Sequence, residues 1–336
     1  MVIDPRLAEE WDSLADRAGA PPWARPGWVA AWWSAFGSGE LDVLTAYASD
    51  GRLWGVLPVA RRRGRAEALV NWHSPEAPLV GDTAALAGKL FGSRPRSALL
   101  RYVPEAALGD VRGAALDARY RLLERVGERS PYVDVSGSFE DYLGTLDRHH
   151  VKETARRRRR LEGEGTVEFS VEDGRERLDE LLAEGWPVEG SGWKRESGTA
   201  VESQPETLAF YTEIARWAAE RGFLRLAFLR LDGRAIAFEF ALESGGVYAI
   251  LKGGFDVELR KFGPGGLITY EELQRAFELG LRRYEFLGTD EPYKTVWTPA
   301  VHERRVLQAF APTPFGLAER AAYVYGRPLA KRLLGR

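Results

Sequence analysis

The sequence predicts a mixed α/β chain, α+β in layout, built from two tandem units, each a mostly antiparallel sheet flanked by helices. Three observations point there. Residues 41–60, LDVLTAYASDGRLWGVLPVA, and 224–242, LRLAFLRLDGRAIAFEFAL, both read as strand, Asp-Gly turn and strand, with alternating apolar residues on either side. Each follows a helical pattern, PGWVAAWWSAF before the first and PETLAFYTEIARWAAERG before the second. The length of 336 residues, with 45% hydrophobic and 11% aromatic, allows about two domains with cores of their own. Two hairpins of one kind can also arise separately, but the shared order of elements favours one unit used twice.

The elements follow in order. Between the halves, SFEDYLGTLDRHHVKETARRRRRLEGEG reads as two helices, with Ser138 as N-cap and Asp141 three residues on. TVEFSVEDG is a strand leading to a helix at 175–185, and the second hairpin is followed by a strand at 246–255. A helix at 265–280, a strand at 282–288, the loop TDEPYKTVW and a strand at 303–310 close the unit. This gives an N-terminal domain over 1–137, connecting helices over 138–163, a C-terminal domain over 164–312, and a basic tail helix over 313–336 interrupted near Gly326-Arg327-Pro328.

Composition narrows the function. A formal charge of −2 gives no global attraction to nucleic acid, so any anion site must be local. With no cysteine there is no disulfide, no thiolate chemistry and no cysteine-type zinc site. The four histidines, His73, His149, His150 and His302, are too scattered to suggest a metal centre, and none is predicted. No apolar run approaches the roughly 20 residues of a membrane span. The start, MVIDPRLAEEWDSLADRAG, reads as an acidic amphipathic helix rather than a signal peptide, so the expected location is the cytoplasm.

The most informative stretch is DVELRKFGPGGLITYEELQRA, residues 256–276. Gly263, Gly265 and Gly266 strip the backbone of side chains, and Pro264 suits the first turn of a helix. Unpaired N–H groups at a helix start, with the helix dipole behind them, bind anions such as a diphosphate. Arg260 and Lys261 would add charge from the flank. A flexible turn before an ordinary helix explains the same glycines. The order strand, Arg-x-x-Gly-x-Gly, helix, strand resembles the acyl-coenzyme A loop of GNAT acyltransferases, with Arg260, Gly263 and Gly265 on the pattern.

Beyond that loop, HVKETARRRRRLEGEGTVEF, EGSGWKRESGTA and FGPGGLITYEELQRAFELGLRRYEFLGTDEPYKTVW resemble the CelD/BcsL-type acetyltransferase-like family, related to the Fem-type peptidyltransferases. PPWARPGWVAAWWSAFG and GRLWGVLPVA resemble that family's start. The resemblance implies two GNAT-like domains and transfer of an acyl group from acetyl-coenzyme A, or another acyl-coenzyme A, to an amine of a sugar, peptide or small metabolite. Fem-type relatives imply instead an aminoacyl-tRNA donor, and loss of chemistry would leave an accessory protein of polysaccharide or cell-wall synthesis.

Such transfer needs a base, donors for the oxyanion and an acid for the thiolate. Many GNAT enzymes carry a Glu on the strand before the loop, and GVYAILKGGF has none. Glu239, among small residues on one face of RAIAFEFAL, is the substitute base, or else a solvent-facing side chain. In TDEPYKTVW, Asp290, Tyr293 and Lys294 are candidates. The resemblance gives Lys294 an oxyanion role and Tyr293 a proton for the thiolate; a capped loop with a surface lysine is the alternative. In GSGWKRESGTA, Trp193 would wall an acceptor pocket and Lys194 meet an anionic acceptor, unless Trp193 merely anchors the loop. The arginines at 156–160 fan around a helix and read as a solvated face paired with Glu153, Glu162 and Glu164; the alternative is a phosphate-binding edge facing a nucleotide-sugar, a tRNA or an anionic membrane surface.

Overall fold

The computed structural model describes residues 3–326. The chain starts with α1 (Pro5–Ala18), capped by the Asp4 carboxylate on Leu7 N–H and ended by Gly19 in the left-handed region, and α2 (Pro26–Phe36). Then come β1 (Glu40–Tyr47), β2 (Leu53–Arg62), β3 (Arg65–Ala68), β4 (Val80–Gly81), α3 (Thr83–Gly92), β5 (Ser97–Val103), α4 (Glu105–Asp117) and β6 (Arg121–Asp134). Next are α5 (Phe139–Thr145), α6 (Arg148–Glu162), β7 (Val167–Glu172), α7 (Leu178–Glu189), α8 (Trp193–Glu196) and α9 (Pro205–Glu220). β8 (Leu224–Leu231), β9 (Arg234–Ser244), β10 (Val247–Phe255), α10 (Pro264–Glu278), β11 (Arg283–Glu285), α11 (Pro292–Thr295), β12 (Val301–Phe310) and α12 (Pro314–Ala321) complete it. Among the described residues no helix is long and apolar enough to cross a membrane.

Contacts divide the chain into two compact units. One runs to Glu128 and resumes at Glu303; the other is Arg129–His302. The sequence reading instead placed the first boundary at 137, set the helices of 138–163 apart, and gave residues 303–310 to the C-terminal half. In the structure α5 and α6 belong to the second unit, while β12 pairs antiparallel with β5 of the first, Gln308 opposite Leu99. Pairing over such a distance leaves no local trace. The predicted tail break at Gly326-Arg327-Pro328 lies partly outside the described residues.

In the first unit β1, β2 and β3 run antiparallel, α3 follows, and β5 pairs parallel with β3. In the second, β8, β9 and β10 run antiparallel, α10 follows, and β11 pairs parallel with β10. The same succession in both units is the predicted duplication. Both Asp-Gly hairpins form, with different turns. Asp232 and Gly233 both have positive φ, 50° and 79°, the type I′ turn that suits a two-residue hairpin. The first hairpin closes over 48–52 with only Gly51 at positive φ.

The second unit has helices on both faces of its sheet. Phe238 and Phe240 of β9 meet Trp186 of α7 and Tyr211 of α9, with ring centroids 5.5–5.7 Å apart. On the opposite face Ala237 and Ala241 leave room for α10, whose Leu267, Ile268, Leu273 and Ala276 are buried there. α5 begins as predicted, Ser138 accepting from Asp141 N–H at 3.1 Å.

Candidate active site

β10 and β11 touch only briefly. Val247, Tyr248 and Ala249 pair with Arg283, Tyr284 and Glu285, and there the ladder stops. β10 continues to Phe255, bulged between Ile250 and Lys252. The two parallel strands therefore part, leaving the backbone of the later β10 residues facing an open seam rather than a ladder.

Beyond the seam the chain turns through a short 3-10 helix, Val257–Phe262, capped by the Asp256 carboxylate on Glu258 N–H. Gly263 follows at φ 65°, a left-handed conformation that favours glycine, and α10 starts at Pro264. No side chain caps α10. Gly266 and Leu267 N–H both turn back to Gly263 O, at 3.0 and 3.1 Å, and position leaves Gly265 N–H without a helical acceptor. A Cβ at Gly266 would meet nothing within 4 Å.

This helix start lines a cleft of about 580 Å³, with His150 and Arg157 of α6 on one side and Val296 and Thr298 on another. Arg260 and Lys261, expected to flank the anion, are exposed on the 3-10 helix and do not line it; Lys261 lies over the Phe262 ring at 4.6 Å. Arg157 takes their place, so close that a Cβ on Gly263 would come 2.7 Å from its Nη1. Glu153 accepts from both Arg156 and Arg157, which pull its pKa down to about 2. His150 is held below its usual pKa by burial and then by Arg157; its ring stands edge-on to Trp297 at 4.5 Å.

Beside the seam lies a buried acidic cluster. Glu239 is opposite Gly253 in register, and a Cβ on Gly253 would press to 3.0 Å from Glu239 Cγ. The Glu239 carboxyl hydrogen-bonds Glu272 of α10. Tyr248 and Tyr284, paired across the last stretch of ladder, donate to Glu272 Oε1 and Oε2 at 2.6 and 2.7 Å. Glu239 is 9% and Glu272 2% exposed. Burial, then the negative charge of Glu272, pushes the Glu239 pKa well up; Lys194 and Lys294 oppose this weakly. Burial also raises Glu272, against the hydrogen bonds that favour its charge.

On the other face, a Cβ on Gly254 would strike the Glu189 backbone at 2.6 Å, so α7 rests directly on β10. Lys194 bridges from α8, donating to buried Glu189 at 3.0 Å and to Gly253 O, while Glu189 also accepts from Val201 N–H at 3.0 Å. Lys252 lies over the Tyr211 ring at 5.5 Å, and burial lowers its pKa to about 8.

Residues 148–295, all within the second unit, match the model of an acetyltransferase (GNAT) domain. The fold is GNAT-like. The chain is also similar to a FemX crystal structure, 13% identical, covering 89% of this chain and 95% of that one at a TM-score of 0.61. A conserved protein of unknown function from Bacteroides thetaiotaomicron VPI-5482 is 14% identical, covering 92% and 98% at 0.57. The C-terminal DUF2156 domain of an Agrobacterium fabrum protein is 15% identical, covering 94% and 96% at 0.56. At these identities the likeness shows the fold alone. No curated protein matches the sequence.

Within this GNAT-like frame, the predicted residues fare unequally. Gly263, Gly265 and Gly266 form the uncapped start of α10, and Glu239 is buried beside the seam rather than solvent-facing. Lys294 is also buried, but its ammonium donates to Leu287 O at 2.8 Å and Thr289 O at 3.1 Å and pairs with Glu291 at 2.7 Å. Those acceptors use the three ammonium hydrogens on a turn where Leu287 and Gly288 both have positive φ, leaving none for an oxyanion here. Tyr293 has a largely exposed ring, yet its hydroxyl is held to the protein by a hydrogen bond with Glu291. Burial of that hydroxyl, then the charges of Glu291 and Glu239, raises its pKa and keeps the proton on. Asp290 pairs with Arg129 at 3.1 Å, away from the acidic cluster. Lys194 faces inward to Glu189 and Gly253, not to an external anion. The Trp193 side chain lies outside the described residues.

Sequence reasoning missed Glu272, Tyr248, Tyr284 and Glu189, and did not single out Arg157 from its run. One signal was available: Ile268, Glu272 and Ala276 share a helical stripe, so an acid stands in a core position. Arg157 was hidden in a run read mainly as a solvated face, in which Arg156 and Arg157 do pair with Glu153 and Arg158 with Glu162.

Proposed function

We propose that the chain is a GNAT-type N-acyltransferase that moves an acyl group from an acyl-coenzyme A, acetyl-coenzyme A being the simplest, to an amine of a sugar, peptide or small metabolite. The reading extends the CelD/BcsL-type resemblance and places the activity in the cytoplasm. One observation carries it: β10 parts from β11 beside a helix start with no cap of its own. A thioester arm can run along the opened strand, its carbonyl near Gly253, while its diphosphate meets the α10 amides. Gly265 N–H, the open space at Gly266 and the Arg157 guanidinium suit a diphosphate. Transfer is direct. The amine attacks the thioester carbonyl, Glu239 is the acid-base candidate at the seam, and Tyr293, still protonated, is the candidate donor to the departing sulfur.

A second reading, an aminoacyl-tRNA donor, draws on α6. Arg148, Lys152 and Arg159 form one exposed stripe on the helix that lines the cleft. It predicts tRNA binding that falls steeply with salt. Calorimetry separates the two. Binding of acetyl-coenzyme A by the intact protein, lost in Gly266→Glu, supports the first; tRNA binding with no response to acetyl-coenzyme A supports the second and overturns the first.

A further inference from the structure

We propose that Glu272, held by Tyr248 and Tyr284, makes Glu239 the receiving end of a two-carboxyl proton relay, so that a side chain already carrying a proton still serves as the base. The inference rests on the acyl-transfer reading and deepens it.

Hydrogen bonding supplies the argument. Two carboxyls in hydrogen-bond contact need one proton between them. Glu272 accepts a tyrosine hydroxyl on each oxygen, at 2.6 and 2.7 Å, which suits the ionised form. The shared proton therefore sits on Glu239, on the oxygen turned to Glu272. The Glu239 oxygen nearer Gly253 is Oε1, 3.4 Å from where a Cβ on that glycine would stand. In a side chain 9% exposed, opposite Gly253 on the parted strand, that oxygen is placed to take an N–H from an amine at the seam. The groups facing the pair are Lys194 of α8, Lys294 and Tyr293 of α11, Tyr248 of β10, Tyr284 of β11 and Arg275 of α10. The cations are tied elsewhere: Lys194 to Glu189, Lys294 to its turn, Arg275 to Glu243. This arrangement also accounts for the missing acid on the strand before the loop.

The step balances. The amine lone pair forms the C–N bond, and the C–S pair leaves on sulfur. The amine proton passes to Glu239 Oε1 as the proton already on Glu239 moves to Glu272. The pair goes from one proton to two, and the thiolate carries the compensating charge until the sulfur is protonated. The acceptor is thus an uncharged amine, and Glu272, Tyr248 and Tyr284 are positioning residues.

Infrared difference spectra and acetyl-coenzyme A hydrolysis, water replacing the amine, test this together. The intact protein at neutral pH is expected to show a protonated carboxyl band that disappears in Glu239→Gln. That variant keeps an N–H donor toward Glu272, so its fold should persist, and its turnover should fall at least a hundredfold with KM for acetyl-coenzyme A unchanged. Tyr248→Phe withdraws one donor from Glu272 and should move the acidic limb of kcat/KM to higher pH, whereas a structural role would lower the rate without moving the limb. Absence of the carboxyl band, a stationary limb, or full turnover in Glu239→Gln overturns the relay. If acetyl-coenzyme A neither binds nor turns over, the functional reading fails, while the infrared band still decides whether the pair shares a proton.

Discussion

The two units begin their central helix in opposite ways. α3 of the first starts at Asp82, whose carboxylate accepts from Ala85 N–H at 2.9 Å and whose own N–H bonds Trp54 O at 2.9 Å. α10 of the second starts at Gly263 with no side chain over its amides. The strands ahead differ in step. β3 keeps three of its four residues paired with β5, whereas β10 keeps only three of its nine paired with β11. In one unit the helix start carries its own anion and the sheet is closed. In the other both are open. Duplication supplied the frame twice, and local residues decided which copy can take a ligand.

Four changes would break or sharpen this contrast. Gly266→Glu writes a carboxylate into the open helix start. The site has room for it and the helix N-terminus tolerates an acid, so thermal stability should hold while affinity for acetyl-coenzyme A, by calorimetry, falls a hundredfold or more, about 3 kcal/mol. Unchanged affinity would remove the distinction between the two helix starts.

Glu239→Gln tests the second unit's buried charge through pH. Glu239 has its folded pKa raised, so folding takes up a proton above the unfolded carboxyl pKa. Native stability is fully present below that value and is lost as pH rises toward the folded one. The glutamine variant escapes this loss. Its unfolding free energy should gain on the parent's as pH climbs from about 4.5, by about 1.4 kcal/mol per pH unit at most. No gap would mean that Glu239 is not held protonated.

Arg157→Ala removes the cation beside Gly263. Acetyl-coenzyme A should bind about fivefold more weakly, with a shallower salt dependence, since Arg157 is partly screened and shared with Glu153. Asp82→Ala uncaps the first unit's helix. It should cost about 1 kcal/mol in denaturant unfolding and leave donor binding untouched.

Much of the frame was legible because it is local. Alternation and Asp-Gly gave both hairpins, Ser138 marked a helix start, and three glycines marked the start of α10. What escaped depends on partners far along the chain. β12 pairs with β5, a relation that residues 303–310 cannot announce. Arg260 and Lys261 looked right by spacing, but six residues of 3-10 helix turned them outward, and Arg157 reached the cleft from another helix. Lys294 was singled out by the family resemblance, and only the turn around it shows that its hydrogens are spoken for. Glu272 was hidden because tyrosines on two other strands make its burial tolerable.

Consecutive glycines at 253 and 254 leave β10 as bare ribbon where the strands part, with Glu239 crowding one side and the α7 backbone the other. Any chemistry at that point is borrowed from neighbours. Substitutions on α7, β9 or α10 could therefore retune proton transfer or acceptor choice without altering the ribbon itself, whereas a side chain at 254 would strike the α7 backbone and one at 253 would press on Glu239.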